Sequence, residues 1–382
     1  MSGPLAGVRI VEFAGLGPTP FACMMLADMG AEVLRIDRLG VDNFGGGDER
    51  HNYLNRSRAS IALDLKDPAD VALVRYLTER ADVLIEGFRP GAMERLGLGP
   101  DLLMKASPRL IYARMTGWGQ TGPQAHKAGH DINYLSMTGA LYLMGPFDGP
   151  PVPPINLVAN FGGGGMLMVT GVLAALVERQ TSGRGQLVDA AMIDGASQLI
   201  TQIYSWERME RWRPGRGDNL LDGSAYFYRC YECSDGEFIA VGALEPQFHA
   251  NFLTGLGLDP ADFGDHLDPS NWVERADIVA AIVRRRSRAE WLDTYAALDA
   301  CVTPVLSPAE ATRDAANIAR HVHVAVEGAI QPAPAPRFSR TPSAIASAPP
   351  LPGERGGERL RDWGFDTALI DRLLDQNKLR TG

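Results

Sequence analysis

The feature that most constrains this chain is a regular exchange of short apolar runs for longer helix-forming ones across its first third. Apolar runs over 8–13 and 31–37 read as strands, and they bracket a segment, 20–29, able to form one buried helix. The exchange continues with a strand over 60–65 and a helix opened by Asp67 and Pro68. There Asp can accept from free N–H groups and Pro fits the first turn. Then follow a strand over 82–86, a short helix over 90–96 and a strand over 109–115. Strands spaced by crossovers long enough to hold a helix pair in parallel, so the pattern predicts an α/β fold, a large domain with a parallel sheet and flanking helices.

Farther along, helices are expected over 130–143 and 163–179, with a Pro-rich connection over 146–154 between them. A strand follows over 186–191, then a helix capped by Asp194 and reaching about Met209. Pro214, Gly215 and Gly217 mark a boundary, since such residues concentrate where elements end. Beyond it a smaller α/β domain is expected, with strands near 226–232 and 237–242, a helix from Pro246, a basic helix near 282–288 and an apolar run over 301–306. The Pro/Ala/Ser-rich stretch 329–352 reads as an extended connection and 367–376 as a terminal helix. The division is then 1–215 for the large domain, 216–328 for the small one, and 329–382 as a return segment joining the large domain.

Composition narrows the partner. The 382 residues carry 37 Lys and Arg against 46 Asp and Glu, a net charge of −9, which argues against a nucleic-acid binder because phosphate backbones demand clustered basic charge. Only Lys66, Lys105, Lys127 and Lys378 are lysines; the other cations are arginines, the better bidentate phosphate partners. No apolar run approaches the roughly 18 residues of a membrane span, and the first residues lack a secretory pattern, so a cytoplasmic protein with no membrane span is expected. Of four cysteines, Cys230 and Cys233 alone sit close in sequence; no second pair of Cys or His completes a zinc set, and no metal is expected.

Several places can hold chemistry. Gly15 and Gly17 follow a strand and precede a helix, but Pro18 and a missing third glycine spoil a dinucleotide fingerprint. Four glycines, 162–165, open the expected helix with Asn160 as a candidate cap; they serve either an anion site at a helix N-terminus or close helix packing. His130, Asp131, Asn133 and Tyr134 gather at another expected helix start, where the dipole disfavours a protonated imidazole and suits a neutral base. Glu245 ends a strand before a helix, and Arg38 and Arg89 follow two strand ends, positions that in open α/β sheets face phosphate-bearing ligands.

Taken together, the segments 33–38, 62–66, 110–114, 117–122 (Gly-Trp-Gly-Gln-Thr-Gly), 128–134 (Ala-Gly-His-Asp-Ile-Asn-Tyr), 185–190, 241–248 and 299–305 resemble the α-methylacyl-CoA racemases, a branch of the family III CoA-transferase superfamily. The resemblance runs in order over nearly the whole chain. It implies an interlocked homodimer whose active sites are shared between the large domain of one chain and the small domain of the other. It implies a 2-methylacyl-CoA thioester as substrate and no cofactor, CoA being part of the substrate. Carried over, His130 matches the catalytic histidine and Glu245 its supporting carboxylate from the neighbouring chain. Arg38, the segment Ala62, Leu63, Asp64 and Leu65, and the segment Gly129, His130, Asp131, Ile132, Asn133 and Tyr134 match the CoA-binding positions, with Arg89 in a loop of the same kind. One position departs: the family's second base is an aspartate, and here Asn160 occupies it. An amide accepts no proton at working pH, so racemisation is expected to be impaired. A substitution in an otherwise ordinary racemase, a variant recruiting another base such as Asp131, and a lineage using the CoA site for another reaction all fit; the intact surrounding motifs favour the first. CoA transfer and non-catalytic acyl-CoA binding are the alternatives. Met24, Met137, Met144 and Met166 are candidates for an acyl pocket or for plain core.

Overall fold

In the computed structural model, which describes residues 3–40 and 47–380, the pattern of the first third becomes one parallel sheet. Its strands are β1 (Arg9–Phe13), β2 (Glu32–Arg38), β3 (Arg58–Leu63), β4 (Val83–Glu86), β5 (Ile111–Thr116) and β6 (Leu187–Ala191), in the order β3-β2-β1-β4-β5-β6. Every neighbouring pair runs parallel. β3, β4 and β5 are buried at all positions, and the polar side chains Arg58, Ser60, Glu86 and Arg114 that they carry are paired inside the core. The chain winds from β1 out to β3 and then returns to place β4 on the other side of β1. The carboxyl ends of β1 and β4 therefore flank the switch point of the sheet, where such folds hold ligands.

Two compact units make up the chain. The first comprises 1–138, 155–199 and 316–382. Its core joins Val11, Phe13, Leu34, Ile61 and Tyr112 of the sheet to Leu360, Trp363, Ile370 and Leu373 near the carboxyl end, so the last segment completes the same core. Inside it Arg58 and Glu12 pair at 3.0 Å with no exposure on either side chain, and the guanidinium also donates to the carbonyls of Pro20 and Leu54. The second unit comprises 139–154 and 200–315. It has an antiparallel sheet, β7 (Tyr228–Glu232), β8 (Phe238–Gly242) and β9 (Val302–Pro304), with helices Pro246–Leu256, Trp272–Val283 and Arg288–Tyr295 around Tyr226, Phe227, Phe252 and Trp291. These bounds differ from the sequence division: 139–154 and 200–215 group with the second unit, and 316–328 with the first.

Several elements depart from expectation. The helix expected over 130–143 is Asp131–Thr138, ended where Gly139 takes φ 86. The helix expected from 163 begins as a π-helix, Leu157–Met166, which runs directly into Leu167–Ser182. Asn160 and the four glycines thus lie inside a helical run, with no free N-terminus there to bind an anion. Contrary to the expectation of no such run, 157–182 is long and apolar enough to cross a membrane by length and composition; it packs against the Pro18–Asp28 helix, β5 and β6. Asp194 lies in the first turn of Met192–Leu199 and caps nothing beyond it, and a second helix, Thr201–Arg208, follows. Arg284, Arg285 and Arg286 form the turn between two helices, the second capped by Ser287 and Glu290. In the stretch expected to be extended, β11 (Ala329–Pro332) pairs with β10 (His323–Val326) across Glu327 and Gly328, both at positive φ as a tight hairpin requires.

The glycine run serves packing. A Cβ on Gly195 would fall 1.9 Å from the Gly163 carbonyl oxygen, and one on Gly163 would fall 2.5 Å from the Ala196 nitrogen. The two helices touch backbone to backbone. Gly195→Ala is expected to cost about 3 kcal/mol of stability by overpacking in a urea titration, whereas Gly357→Ala, with only ordinary contacts in its helix, should be neutral or slightly stabilising. A second prediction concerns His249, pushed down to about 4 by burial, His266 and Arg275. The unfolded chain takes up that proton near pH 6.5 and the folded one does not, so stability is constant above that pH and falls as pH drops toward 4. Urea midpoints at pH 7 and 4.5 should show the fall, and His249→Gln should reduce it.

Candidate active site

Two cavities open at the carboxyl ends of the strands in the first unit, of about 280 and 630 Å³, and both are lined by Leu16, Gly87 and Phe88, the residues just past β1 and β4. Arg38, Leu63, Asp64 and Leu65 line the larger, together with Arg35, Asp37 and Lys66. Arg89, Gly129, His130 and Tyr134 line the smaller, together with Thr116, Trp118 and Lys127 and with no carboxylate. Arg38, Lys66, Arg89 and Lys127 form no ion pair among the described residues; in the larger cavity Asp37, Glu49 and Asp64 match the three cations in number, whereas Arg89 and Lys127 face the smaller one with no carboxylate in its lining. Of the residues expected to bind CoA, Ala62, Ile132 and Asn133 stand back from the lining, as do Asp131, Asn160 and Glu245 among those expected to act on protons. Ala62 is buried in β3, and its N–H donates to the Lys378 carbonyl at 2.9 Å. Ile132 is exposed on its helix. The Asn133 side chain accepts from the His130 N–H at 3.0 Å and caps the helix that carries the histidine.

Around His130 the smaller cavity is shaped by glycine and aromatic residues. The Tyr134 hydroxyl donates to the Gly129 carbonyl at 2.5 Å, and its ring meets Trp118 edge to face at 4.8 Å. A Cβ on Gly117 would lie 2.1 Å from the Tyr134 ring, so only glycine leaves room for it. Burial holds the Tyr134 phenol above its usual range. Asp131 is 5% exposed, and its Oδ2 accepts the backbone N–H of Asn160 at 2.7 Å while Oδ1 is buried without a partner. Burial raises its pKa, against the N–H groups of Asn160 and Ala159, which lower it. Asp131 is thus a clamp between the helix start bearing His130 and the π-helix bearing position 160. The Asn160 side chain faces the loop after β1: a Cβ on Gly17 would sit 3.3 Å from its Nδ2. His130, Asp131, Tyr134 and Asn160 come together in this way, within the first unit.

Glu245 lies in the second unit, exposed, at the start of the Pro246–Leu256 helix, and its carboxylate makes no cap bond to that helix. Cys230 is exposed and Cys233 buried; among the described residues no group of three or more His, Cys, Asp or Glu is placed to hold a metal ion. Lys66, Lys127, Trp118, Met115 and Met192 line the cavities without having been singled out, whereas Met24, Met137, Met144 and Met166 line neither.

The profile of CoA-transferase family III matches residues 5–356. The chain belongs to this family. Among its family III relatives are the mouse α-methylacyl-CoA racemase, 44% identical over 98% of this chain and 99% of that protein, and the human one, 40% identical over the same shares. Mouse succinyl-CoA:glutarate CoA-transferase is 29% identical over 97% of this chain and 89% of its own. Among solved structures, a CaiB/BaiF family protein from Brucella suis superposes with a TM-score of 0.81 at 25% identity, covering 95% of this chain and all of the other. In this family III chain, Asp131→Ala would leave the Asn160 N–H without its acceptor and is expected to cost about 1–3 kcal/mol. A urea titration of that variant, beside Asn133→Ala on the exposed side of the same turn, checks the clamp.

Proposed function

We propose that this chain is an isomerase of the α-methylacyl-CoA racemase type, acting on 2-methylacyl-CoA thioesters through an enolate, with proton transfer strong on one face only. The observation that carries the reading is His130 in a cavity with Arg89 and Lys127 and no carboxylate, its neighbour Asp131 bonded to the backbone of position 160, in a chain 44% identical to a full-length racemase. An anionic CoA ester suits Arg38, Lys66, Arg89 and Lys127. His130 removes the proton α to the thioester carbonyl, and the enolate keeps that carbon planar until a proton returns. Inversion requires a second group on the opposite face. Asn160 occupies that place with an amide, which can hydrogen-bond but cannot carry the proton. Glu245 of a neighbouring chain would orient His130 and stabilise its protonated form. The protein is then a cytoplasmic homodimer with shared sites and no cofactor beyond the CoA of its substrate. CoA transfer is the second reading, favoured by family membership, but it needs a carboxylate nucleophile.

Incubating (2R)- and (2S)-2-methylacyl-CoA separately in deuterated water separates α-proton exchange from inversion. Exchange of one enantiomer is expected to outrun inversion, and Asn160→Asp to raise inversion by about 10²–10⁴-fold, the usual worth of a placed acid or base. Equal rates of exchange and inversion from both enantiomers, with no gain from Asn160→Asp, would overturn the one-sided mechanism; CoA exchange with added carboxylates would favour transfer.

A further inference from the structure

We infer that His266, with the buried ring stack it belongs to, is a positioning residue for Glu245. The inference rests on the reading of Glu245 as the support of a catalytic histidine. Tyr226, His249 and His266 are 0%, 5% and 8% exposed in the second unit, and neither histidine has a part in the proposed proton transfer. The two imidazoles stack at 4.4 Å with planes 16° apart. His266 Nε2 lies 2.9 Å from the Leu244 carbonyl oxygen. A carbonyl only accepts, so that nitrogen carries a proton and donates it. The His266 carbonyl in turn accepts from Trp272 Nε1 at 2.8 Å, and the His249 ring meets the Tyr226 hydroxyl at 2.5 Å, with Arg275 over the Tyr226 ring. His266 is thus held through both its backbone and its ring.

What this stack holds is the backbone of Glu245. The Leu244 carbonyl belongs to the peptide group that enters Glu245, and the Glu245 carbonyl accepts the N–H of His249 at 2.9 Å. Both peptide planes flanking Glu245 are therefore bonded to residues of the stack. The carboxylate is exposed and makes no cap bond, so its aim depends on these planes. A carboxylate supporting a histidine must be placed closely, and a displacement of about 1 Å can cost up to 10²-fold in rate.

The test uses full-length protein and α-proton exchange of 2-methylacyl-CoA in deuterated water, with kcat and KM measured separately. Glu245→Gln is expected to lower kcat. His266→Leu, which removes the donor, should lower kcat about tenfold at unchanged KM, and His266→Gln, which restores an N–H, should recover most of it. The double variant Glu245→Gln/His266→Leu should be no slower than Glu245→Gln alone. Trp272→Phe deletes only the bond to the His266 carbonyl; it should act in the same direction more weakly, and it replaces His266→Leu if that variant does not fold. Additive losses in the double variant, equal losses in the Gln and Leu variants, or unchanged kcat in both His266→Leu and Trp272→Phe would overturn the inference. An unchanged kcat in Glu245→Gln would instead overturn the role of Glu245 itself.

Discussion

The backbone contact between Gly163 and Gly195 sets where the π-helix and the residues it carries can stand in the first unit. With no side chain at either position, the π-helix 157–166 lies directly on the Met192–Leu199 helix, and that crossing carries Asn160 to the end of the sheet, beside Gly17 and the Asp131 carboxylate. A π-helix is locally weaker than an α-helix and occurs mostly as short stretches at functional sites. Here its cost is offset by the burial of Gly163 against Gly195 and Ala196, Gly164 against Met192 and Pro18, and Gly165 against Phe21, contacts that a helix with side chains there could not make.

Charge follows a similar division between framework and site. The buried cations are matched: Arg58 to Glu12, Arg56 to Asp28, Arg114 to Glu86. A single buried charge would cost several kcal/mol, so each arrives with its partner. The cations at the strand ends are left without such partners among the described residues; in the larger cavity Asp37, Glu49 and Asp64 balance Arg35, Arg38 and Lys66, while Arg89 and Lys127 give the smaller one a sign opposite to the net −9 of the chain. The overall charge excludes an extended polyanion and says little about a compact anionic ester, because the field in a cleft is set by its lining and not by the sum over the surface.

The sheet was legible in the sequence because its strands recur at a spacing that leaves room for crossover helices, and because Asp67 announces its helix with a side chain that does cap it. The π-helix was not. Glycine disfavours helix interiors, so four in a row read as an opening, and only the distant Gly195, in contact with Gly163, explains why they are inside one. His249 and His266 were equally hidden, since no spacing rule links two residues 17 apart that meet by stacking. Lys127 and Trp118 carry no pattern of their own; the motifs around them were visible, but which of their residues face a cavity depends on the turn of the chain after β5.

The bond from Asp131 to residue 160 runs to the backbone N–H and not to the side chain. It needs only the N–H of the residue at 160, as the Gly163 and Gly195 crossing needs only backbone. That bond therefore does not select between asparagine and aspartate, whereas the proposed mechanism does, because under it only a carboxylate could take the second proton. Under the proposed mechanism a chain can keep His130, the bond from its N–H to Asn133 and the tyrosine that packs against Gly117, all under constraints of packing, and still differ at the residue assigned to inversion.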